Sequence, residues 1–257
     1  MNWSEFFRDF FSSRKISAGK AEDDFALMVA GGDCNIDEEN LKKLCRQASY
    51  ILACDRGFDI LAKNCLSADL VIGDFDSSSN LKETEIRKRL AEEDKLKTYP
   101  ERKNKTDSEL GLDILFEKNY KNVVFIGGLG TRLDHSLANL LFLKKYTAMG
   151  MNLVMLDKNY FSGYILTGIY NFKRPEEIFS GKDSINSENT YVSFIALDEG
   201  LEISLEGFDY NLESTEIGAC SSLCVSNHIF ENNNKVVLKG PENQGLYFIY
   251  SHENNNN

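Results

Sequence analysis

The sequence lacks the paired cysteines that build disulfide frameworks and structural zinc sites. Its 6 cysteines include no CxxC pair, and its 3 histidines offer no zinc-ligand spacing with them. Most of the cysteines stand within apolar runs, where a free thiol behaves as a small hydrophobic side chain. The N-terminus also lacks the continuous apolar core of a secretion signal. We therefore expect free thiols in a reducing cytoplasm and no disulfide.

The chain also lacks an excess of positive charge and any apolar run of transmembrane length. Its 29 Lys and Arg residues stand against 40 Asp and Glu residues, for a net charge of -11. That charge argues against nucleic acids and anionic membranes as general partners. No segment has the length that a bilayer-spanning helix needs. A local pocket for a phosphate ligand remains compatible with this composition.

The length and composition are those of a globular protein. The 257 residues suffice for one large domain or two modest ones, and 42% of them are hydrophobic. Residues 1–24 form an N-terminal extension, for which apolar residues at helical spacing predict a short amphipathic helix. We expect this helix to pack on the body of the protein or on a neighbour, with membrane contact as an alternative. The apolar residues are Trp3, Phe6, Phe7, Phe10 and Phe11.

Residues 25–156 alternate between short apolar runs and amphipathic stretches. This pattern predicts an α/β domain with an open, mostly parallel sheet and helices on both faces. The predicted strands are 25–30, 50–54, 69–72, 96–99, 122–126 and 152–156. The predicted helices are 37–48, 58–65, 81–93, 106–118 and 134–146.

Residues 157–257 lose the helical periodicity and contain short alternating runs between turn-rich segments. They predict a smaller antiparallel β-sandwich domain. The predicted strands are 160–166, 169–172, 191–197, 201–205, 221–225, 235–238 and 246–250. Residues 174–189 are polar and are predicted to form a loop.

A Gly-Asp-Phe-Asp-Ser motif ends the predicted strand 69–72. In an extended segment Asp74 and Asp76 point to the same side, and two adjacent like charges repel unless a cation lies between them. Carboxylate oxygens are ligands that Mg²⁺ shares with substrate phosphates. A solvated turn after a strand is the alternative interpretation.

Two further polar segments follow predicted strands of the same sheet. Asp55 follows 50–54, and a glycine-rich turn with Gly128 and Gly130 follows 122–126 and leads into a helix. Because the carboxyl ends of parallel strands share one edge, we expect these segments to lie near Asp74. Glycines and a helix N-terminus suit a phosphate, and Arg132 could bind its oxygens. The turn is neither a Walker A loop nor a complete dinucleotide fingerprint.

Each of these residues also has a purely structural interpretation. Thr106 and Glu109 fit a capping box, and Asp107 in the same first turn would complement the helix dipole. Arg132 and Asp134 could form a surface ion pair. His135 could cap or pack against its helix.

Several short motifs follow one another along the chain. They are Asp55-x-Gly57, Gly73-Asp-Phe-Asp-Ser77, Lys103-x-x-Thr106-Asp107 and Arg132-x-Asp134-His135-x-x-x-Asn139, followed in the second half by Gly207-Phe-Asp-Tyr210 and Ser221-Ser222-Leu-Cys-Val-Ser226-Asn227. In this order they resemble the motifs of thiamine pyrophosphokinases, and the resemblance covers residues 25–250.

The resemblance implies an enzyme that transfers pyrophosphate from ATP to the hydroxyl of thiamine and releases AMP. It implies a homodimer whose active site lies between subunits. It assigns Mg²⁺ to Asp74, Asp76 and Asp107, and it gives Arg132 the role of neutralising phosphate oxygens. It assigns ATP binding to Asp55, Lys103, Thr106, Gly128, Gly130, Asp134, His135 and Asn139. It assigns thiamine binding to Tyr210, Ser222, Ser226 and Asn227, with the Tyr210 ring facing the cationic thiazolium.

The sequence departs from the family pattern at three positions. Asn104 replaces an aspartate and offers an oxygen without a charge, which lowers the expected metal affinity. Thr131 replaces a glycine of the turn, and Asp209 replaces a lysine before the aromatic residue. Two other functions stay open at this point: pyrophosphoryl transfer to another alcohol such as a pterin, and a regulatory module that binds nucleotide without catalysis.

Overall fold

The computed structural model describes residues 1–11, 24–75, 84–100, 104–178 and 189–252. The chain divides into two compact units. We call Ala18–Phe142 with Met155–Lys158 the parallel-sheet unit. The antiparallel unit comprises Met1–Ser17, Leu143–Val154 and Asn159–Asn257.

The helices and strands of the described residues follow the predicted order closely. The helices are α1 Trp3–Phe10, α2 Glu38–Gln47, α3 Gly57–Lys63, α4 Thr84–Glu92, α5 Asp107–Glu117, α6 Leu133–Ala148 and α7 Pro175–Ile178. The strands are β1 Phe25–Val29, β2 Tyr50–Cys54, β3 Leu70–Gly73, β4 Leu96–Thr98, β5 Asn122–Ile126, β6 Asn152–Leu156, β7 Tyr160–Leu166, β8 Gly168–Tyr170, β9 Thr190–Ala196, β10 Leu201–Glu206, β11 Leu212–Ile217, β12 Lys235–Lys239 and β13 Gly245–His252.

The parallel-sheet unit is built on strands in the order β4-β3-β2-β1-β5, all parallel. Val29 of β1 pairs with Ala53 of β2 on one side and with Ile126 of β5 on the other. Every residue of β1 and β5 is buried, as expected for central strands covered on both faces. The carboxyl ends of β2, β3 and β5 therefore meet at one edge, where the polar motifs begin.

The antiparallel unit contains two sets of antiparallel strands. One has the order β7-β13-β9, and the other has the order β11-β10-β12-β8. Its core is rich in aromatic rings, with Phe172 in edge-to-face contact with Phe194 at 5.2 Å and Phe248 at 5.3 Å between ring centroids. The α/β fold class with a second, antiparallel β portion is confirmed.

Helix α1 adds five aromatic side chains to the antiparallel unit. Asn2 caps it by accepting a hydrogen bond from the Glu5 amide. Phe10 lies in edge-to-face contact with Phe172 and Phe248, at 4.9 and 5.3 Å between centroids. The helix thus buries its apolar face within its own unit. Trp3, Phe6, Phe7, Phe10 and Phe11 are all at most 5% exposed.

Two predictions for the second half were wrong, and one strand was not predicted. Residues 221–225 form turns instead of a strand, because left-handed residues at Cys220 and Ser226 (φ 58° and 60°) bound the segment on both sides. Strand β11 was missed because it is a largely exposed edge strand with few apolar residues, and β10 is its one partner among the described strands. The predicted loop 174–189 begins with the short helix α7, and residues 179–188 lie outside the described part.

Across the described ranges, the helices are all too short or too polar to cross a membrane. All six cysteines are free thiols.

Candidate active site

A pocket of about 270 Å³ opens at the carboxyl edge of the parallel sheet. It lies wholly within the parallel-sheet unit. Segments 30–33, 54–56, 106–108 and 127–132 line it, together with three side chains on the first turns of α6. The sequence placed polar groups at the ends of β2, β3 and β5, and the pocket brings those of β2 and β5 together.

Two carboxylates, those of Asp107 and Asp74, lie close enough to Asp55 at this edge to raise its pKa. Burial, the negative charge of Asp107 and a hydrogen bond to Asp107 raise the pKa of Asp55 to about 7, and the charge of Asp74 adds to this rise. The Phe75 amide donates to Asp55 Oδ1 at 3.3 Å and opposes the rise. We call Asp55, Asp74 and Asp107 the acid cluster.

Gly73 makes the close approach of these groups possible. A Cβ atom at this position would lie 1.7 Å from Asp55 Oδ1, which no side chain could accommodate. The φ angle of 146° is also one that favours glycine. The glycine of the Gly-Asp-Phe-Asp-Ser motif therefore makes room for the carboxylate that leaves the neighbouring strand.

The first turn of α5 forms the wall that carries Asp107. Thr106 is the N-cap, and its Oγ1 accepts a hydrogen bond from the Glu109 amide at 3.2 Å. Asp107 is the first helical residue and interacts with Asp55, so its role extends beyond the helix dipole. Ser108 also lines the pocket and is 9% exposed, although sequence reasoning had given it no role.

The glycine turn after β5 has carbonyls that accept hydrogen bonds from the protein and amides that are available to a ligand. The carbonyls of Gly127 and Leu129 accept hydrogen bonds from the amides of Gly32 and Asp33, at 2.9 and 2.8 Å. The Gly128 carbonyl accepts one from buried Asn139 Nδ2 at 2.6 Å. Within the part of the chain that the structure describes, the amides of Gly128, Leu129 and Thr131 donate to no protein acceptor. A turn with occupied carbonyls and available amides suits an anionic ligand.

The start of α6 carries the remaining predicted residues of this pocket. Arg132 and Asp134 form an exposed ion pair, with the shorter contact, Nη2 to Oδ2, at 2.6 Å. Arg132 and His135 line the pocket. Ser136, which the sequence analysis had not singled out, lines it as well and bonds to the turn itself. A serine four residues after the turn is a weak sequence signal, because serine is common near helix starts.

The predicted thiamine-binding residues lie in the antiparallel unit. Tyr210 is 66% exposed, and its amide donates to Asn227 Oδ1 at 2.9 Å. Asn227 Nδ2 donates back to the Tyr210 carbonyl at 2.8 Å. Ser222 and Ser226 are exposed, and the Ser226 amide donates to Ser193 Oγ at 3.0 Å. Asn227 is thus committed to holding the Tyr210 backbone.

Two predicted residues, Asp76 and Lys103, lie outside the described residues. Among the residues that are described, no three histidine, cysteine or acidic side chains are arranged as a metal site. The acid cluster nevertheless offers the oxygen donors that Mg²⁺ prefers. Burial is the largest cause of the raised pKa of Asp55, and the repulsion from Asp107 and Asp74 that adds to it is what a cation would relieve.

Comparison with known protein families covers both halves of the chain. The model of the thiamin pyrophosphokinase catalytic domain matches residues 41–155, and the model of the thiamin pyrophosphokinase vitamin B1 binding domain matches residues 181–241. The chain belongs to the thiamine pyrophosphokinase family. The acid cluster and glycine turn fall within the first match, and Tyr210 to Asn227 within the second. Helix α1 lies outside both matches.

Family relatives match in sequence and in structure. The thiamine pyrophosphokinase of Bacillus subtilis is 28% identical over 206 residues, which is 80% of this chain and 89% of the relative. The crystal structure of Bacillus subtilis thiamine pyrophosphokinase matches with a TM-score of 0.72 and 25% identity, over 90% of this chain and 99% of that one. Yeast thiamin pyrophosphokinase matches with a TM-score of 0.69 at 11% identity, over 98% and 90%, and shows the shared fold alone.

Proposed function

We propose that the chain transfers the pyrophosphoryl group of ATP to the hydroxyl of thiamine, giving thiamine diphosphate and AMP. The observation that carries this proposal is the acid cluster on the edge where the glycine turn offers its amides, in a member of this family. In the reaction, the thiamine oxygen bonds to the β-phosphorus. The bond from that phosphorus to the α-phosphate oxygen breaks, and the hydroxyl proton is released.

The glycine turn binds the triphosphate. The amides of Gly128, Leu129 and Thr131 can donate hydrogen bonds to phosphate oxygens. The carbonyls of the same turn already accept hydrogen bonds from the protein. Arg132 exchanges its exposed partner Asp134 for phosphate oxygens. Lys103 adds a second positive charge. His135 and Thr106 complete the nucleotide side of the pocket, and Asp134, which lies outside the pocket lining, is the partner of Arg132 before ATP binds.

Asp74, Asp76 and Asp107 would hold Mg²⁺, with Asp55 beside them. A cation bound there would offset the negative charge that develops on the phosphate groups during transfer. Asp74 directly follows β3 and Asp107 begins α5, so regular secondary structure sets the position of both carboxylates. Phosphoryl-type transfer depends on such positioning more than on covalent chemistry by the protein.

Thiamine binds to the turns around Tyr210. The exposed aromatic face of Tyr210 suits a cationic thiazolium ring. Asn227 holds the backbone of Tyr210 through two hydrogen bonds and so fixes the position of the ring. Ser222 and Ser226 offer hydrogen bonds to the ligand. In a homodimer, these residues of one subunit complete the nucleotide pocket of the partner. Free thiols fit a cytoplasmic enzyme.

The direct test incubates the purified protein with ATP, Mg²⁺ and thiamine and follows the nucleotide products. We expect AMP and thiamine diphosphate in equal amounts. Asp74→Asn should lose at least a hundredfold in kcat/KM, because it removes a charge from the cation site. Asp94→Asn is the matched control, since Asp94 is an exposed acid of the same unit outside the pocket.

Three results would contradict the proposal. Formation of ADP would indicate transfer of a single phosphoryl group. Turnover with a hydroxymethyl pterin but not with thiamine would show that another alcohol accepts the pyrophosphoryl group. ATP binding without turnover of any acceptor would indicate a regulatory protein that binds nucleotide without catalysis.

A further inference from the structure

We propose that Ser136 is a positioning residue that sets the phosphate-binding shape of the glycine turn. This inference rests on the proposed function, because it concerns how the same pocket binds a nucleotide triphosphate. Ser136 lies in the first turns of α6 and lines the pocket. Neither its residue type nor its spacing marked it in the sequence.

The Ser136 hydroxyl lies within hydrogen-bond distance of both ends of the segment from Gly130 to Arg132. It accepts a hydrogen bond from the Gly130 amide at 3.1 Å. Its proton has two acceptors within reach, the Arg132 carbonyl at 3.1 Å and the Gly130 carbonyl at 3.3 Å. A hydroxyl has one proton and two lone pairs, so it can hold the amide and one carbonyl at the same time.

The hydrogen bonds of the Ser136 hydroxyl are the main interactions that hold the backbone of the Gly130–Arg132 segment. The earlier part of the turn is held elsewhere, through the carbonyls of Gly127, Gly128 and Leu129. Among the side chains that the structure describes, Ser136 alone bonds to the backbone of the segment from Gly130 to Arg132. Without its hydroxyl, the end of the turn would keep only the helical bond from the Ser136 amide to the Arg132 carbonyl.

The hydrogen bond between Gly130 and Ser136 also determines which amides of the turn remain available to a ligand. The Gly130 amide is taken by Ser136, whereas the amides on either side of it, at Leu129 and Thr131, stay available. The same contact fixes the backbone from which the Arg132 side chain leaves. Ser136 therefore prepares the turn for the triphosphate without touching the reacting atoms, and this preparation lowers the entropy lost on binding.

A pair of isosteric substitutions isolates the hydroxyl. Threonine keeps it, and valine replaces it with a methyl group at nearly the same volume and helix propensity. Ser136 is partly exposed, which leaves room for the added methyl group. Ser136→Thr should bind and turn over ATP within twofold of the wild type. Ser136→Val should raise the KM for ATP about tenfold, with the KM for thiamine and kcat within threefold.

The experiment measures steady-state kinetics with each substrate varied in turn, and Mg-ATP affinity by calorimetric titration. Ser67→Ala, an exposed serine of the same unit outside the pocket, controls for loss of a surface hydroxyl. Equal ATP affinity in the threonine and valine variants would overturn the inference. An equal rise in the KM of both substrates for valine would also overturn it, because that result marks a general structural effect. Titration decides the point even if wild-type protein binds ATP but forms no AMP, a result that would refute the proposed function alone.

Discussion

Asp55→Asn should stabilise the protein without ligands and inactivate it at the same time. Burial and two neighbouring carboxylates raise the pKa of Asp55 from 3.8 to about 7. The stabilisation from its bound proton is fully present below pH 3.8 and is lost as the pH rises through 7. At pH 8 the folded protein therefore carries an unfavourable charge, which asparagine removes.

The size of the effect follows from the pKa. A rise from 3.8 to about 7 corresponds to roughly 4 kcal/mol at 1.36 kcal/mol per pH unit. Asp55 is partly exposed, so solvent screens part of the repulsion, and we expect about 2 kcal/mol. For a chain of this length, that difference raises the midpoint of thermal unfolding by about 4–8 °C. Asparagine can still donate to Asp107 and accept from the Phe75 amide.

The assay is thermal unfolding of metal-free protein in EDTA at pH 5 and pH 8. The gain from Asp55→Asn should be present at pH 8 and should shrink by more than half at pH 5. Asp94→Asn is a close control, because Asp94 is exposed and shares a left-handed backbone with Asp55 (φ 57° and 46°). A gain independent of pH, or an equal gain in the control, would refute the electrostatic reasoning.

Two other substitutions test the remaining parts of the structure. Phe10→Ala should destabilise the protein by about 3 kcal/mol in urea unfolding, because it leaves a cavity against Phe172 and Phe248, whereas exposed Arg8→Ala should stay within about 0.5 kcal/mol. A small loss for Phe10→Ala would mean that α1 is not part of the core. Arg132→Ala should lower kcat/KM for ATP about a hundredfold yet leave the unfolding midpoint unchanged, since its ion pair with Asp134 is exposed. An unchanged rate would remove Arg132 from the site.

The sequence predicted the parallel sheet well because its strands are continuous apolar runs. The predicted bounds of β2, β5 and β6 agree with the structure at both ends. Each is buried or nearly buried along its length, so an apolar run marks most of each strand, although β5 and β6 both begin with a buried asparagine. The position of Asp55 and the glycine turn on one edge followed from parallel topology.

The antiparallel portion was harder to predict because its signals are weaker. Strand β11 runs Leu-Glu-Ser-Thr-Glu-Ile, and its pairing with β10 is interrupted by a register shift. An edge strand buries one side at most, so polar residues are tolerated there. Residues 221–225 show the opposite case, since they include the apolar run Leu-Cys-Val but the backbone turns.

The interaction of Asp55 with Asp107 could not be predicted from spacing. The two residues are far apart in sequence, and Asp107 alone fits a helix start equally well. Only the packing of α5 beside β2 brings them together. The role of Ser136 likewise depends on a bond to a backbone amide, which no residue pattern encodes.

Ligand binding should reverse the order of stability between the wild type and Asp55→Asn. Mg-ATP at a hundred times its dissociation constant stabilises a folded protein by about 2.7 kcal/mol. The wild type receives this gain, because the cation removes the repulsion in the acid cluster. Asp55→Asn, which has lost a carboxylate of that cluster, should gain less than a quarter as much, below the roughly 0.7 kcal/mol that separates the ligand gain of the wild type from the advantage of the variant without ligand. Unfolding midpoints at pH 8 with and without Mg-ATP measure both gains. If Mg-ATP stabilises the two proteins equally, Asp55 plays no part in ligand binding. Its raised pKa would then only lower the stability of the folded protein.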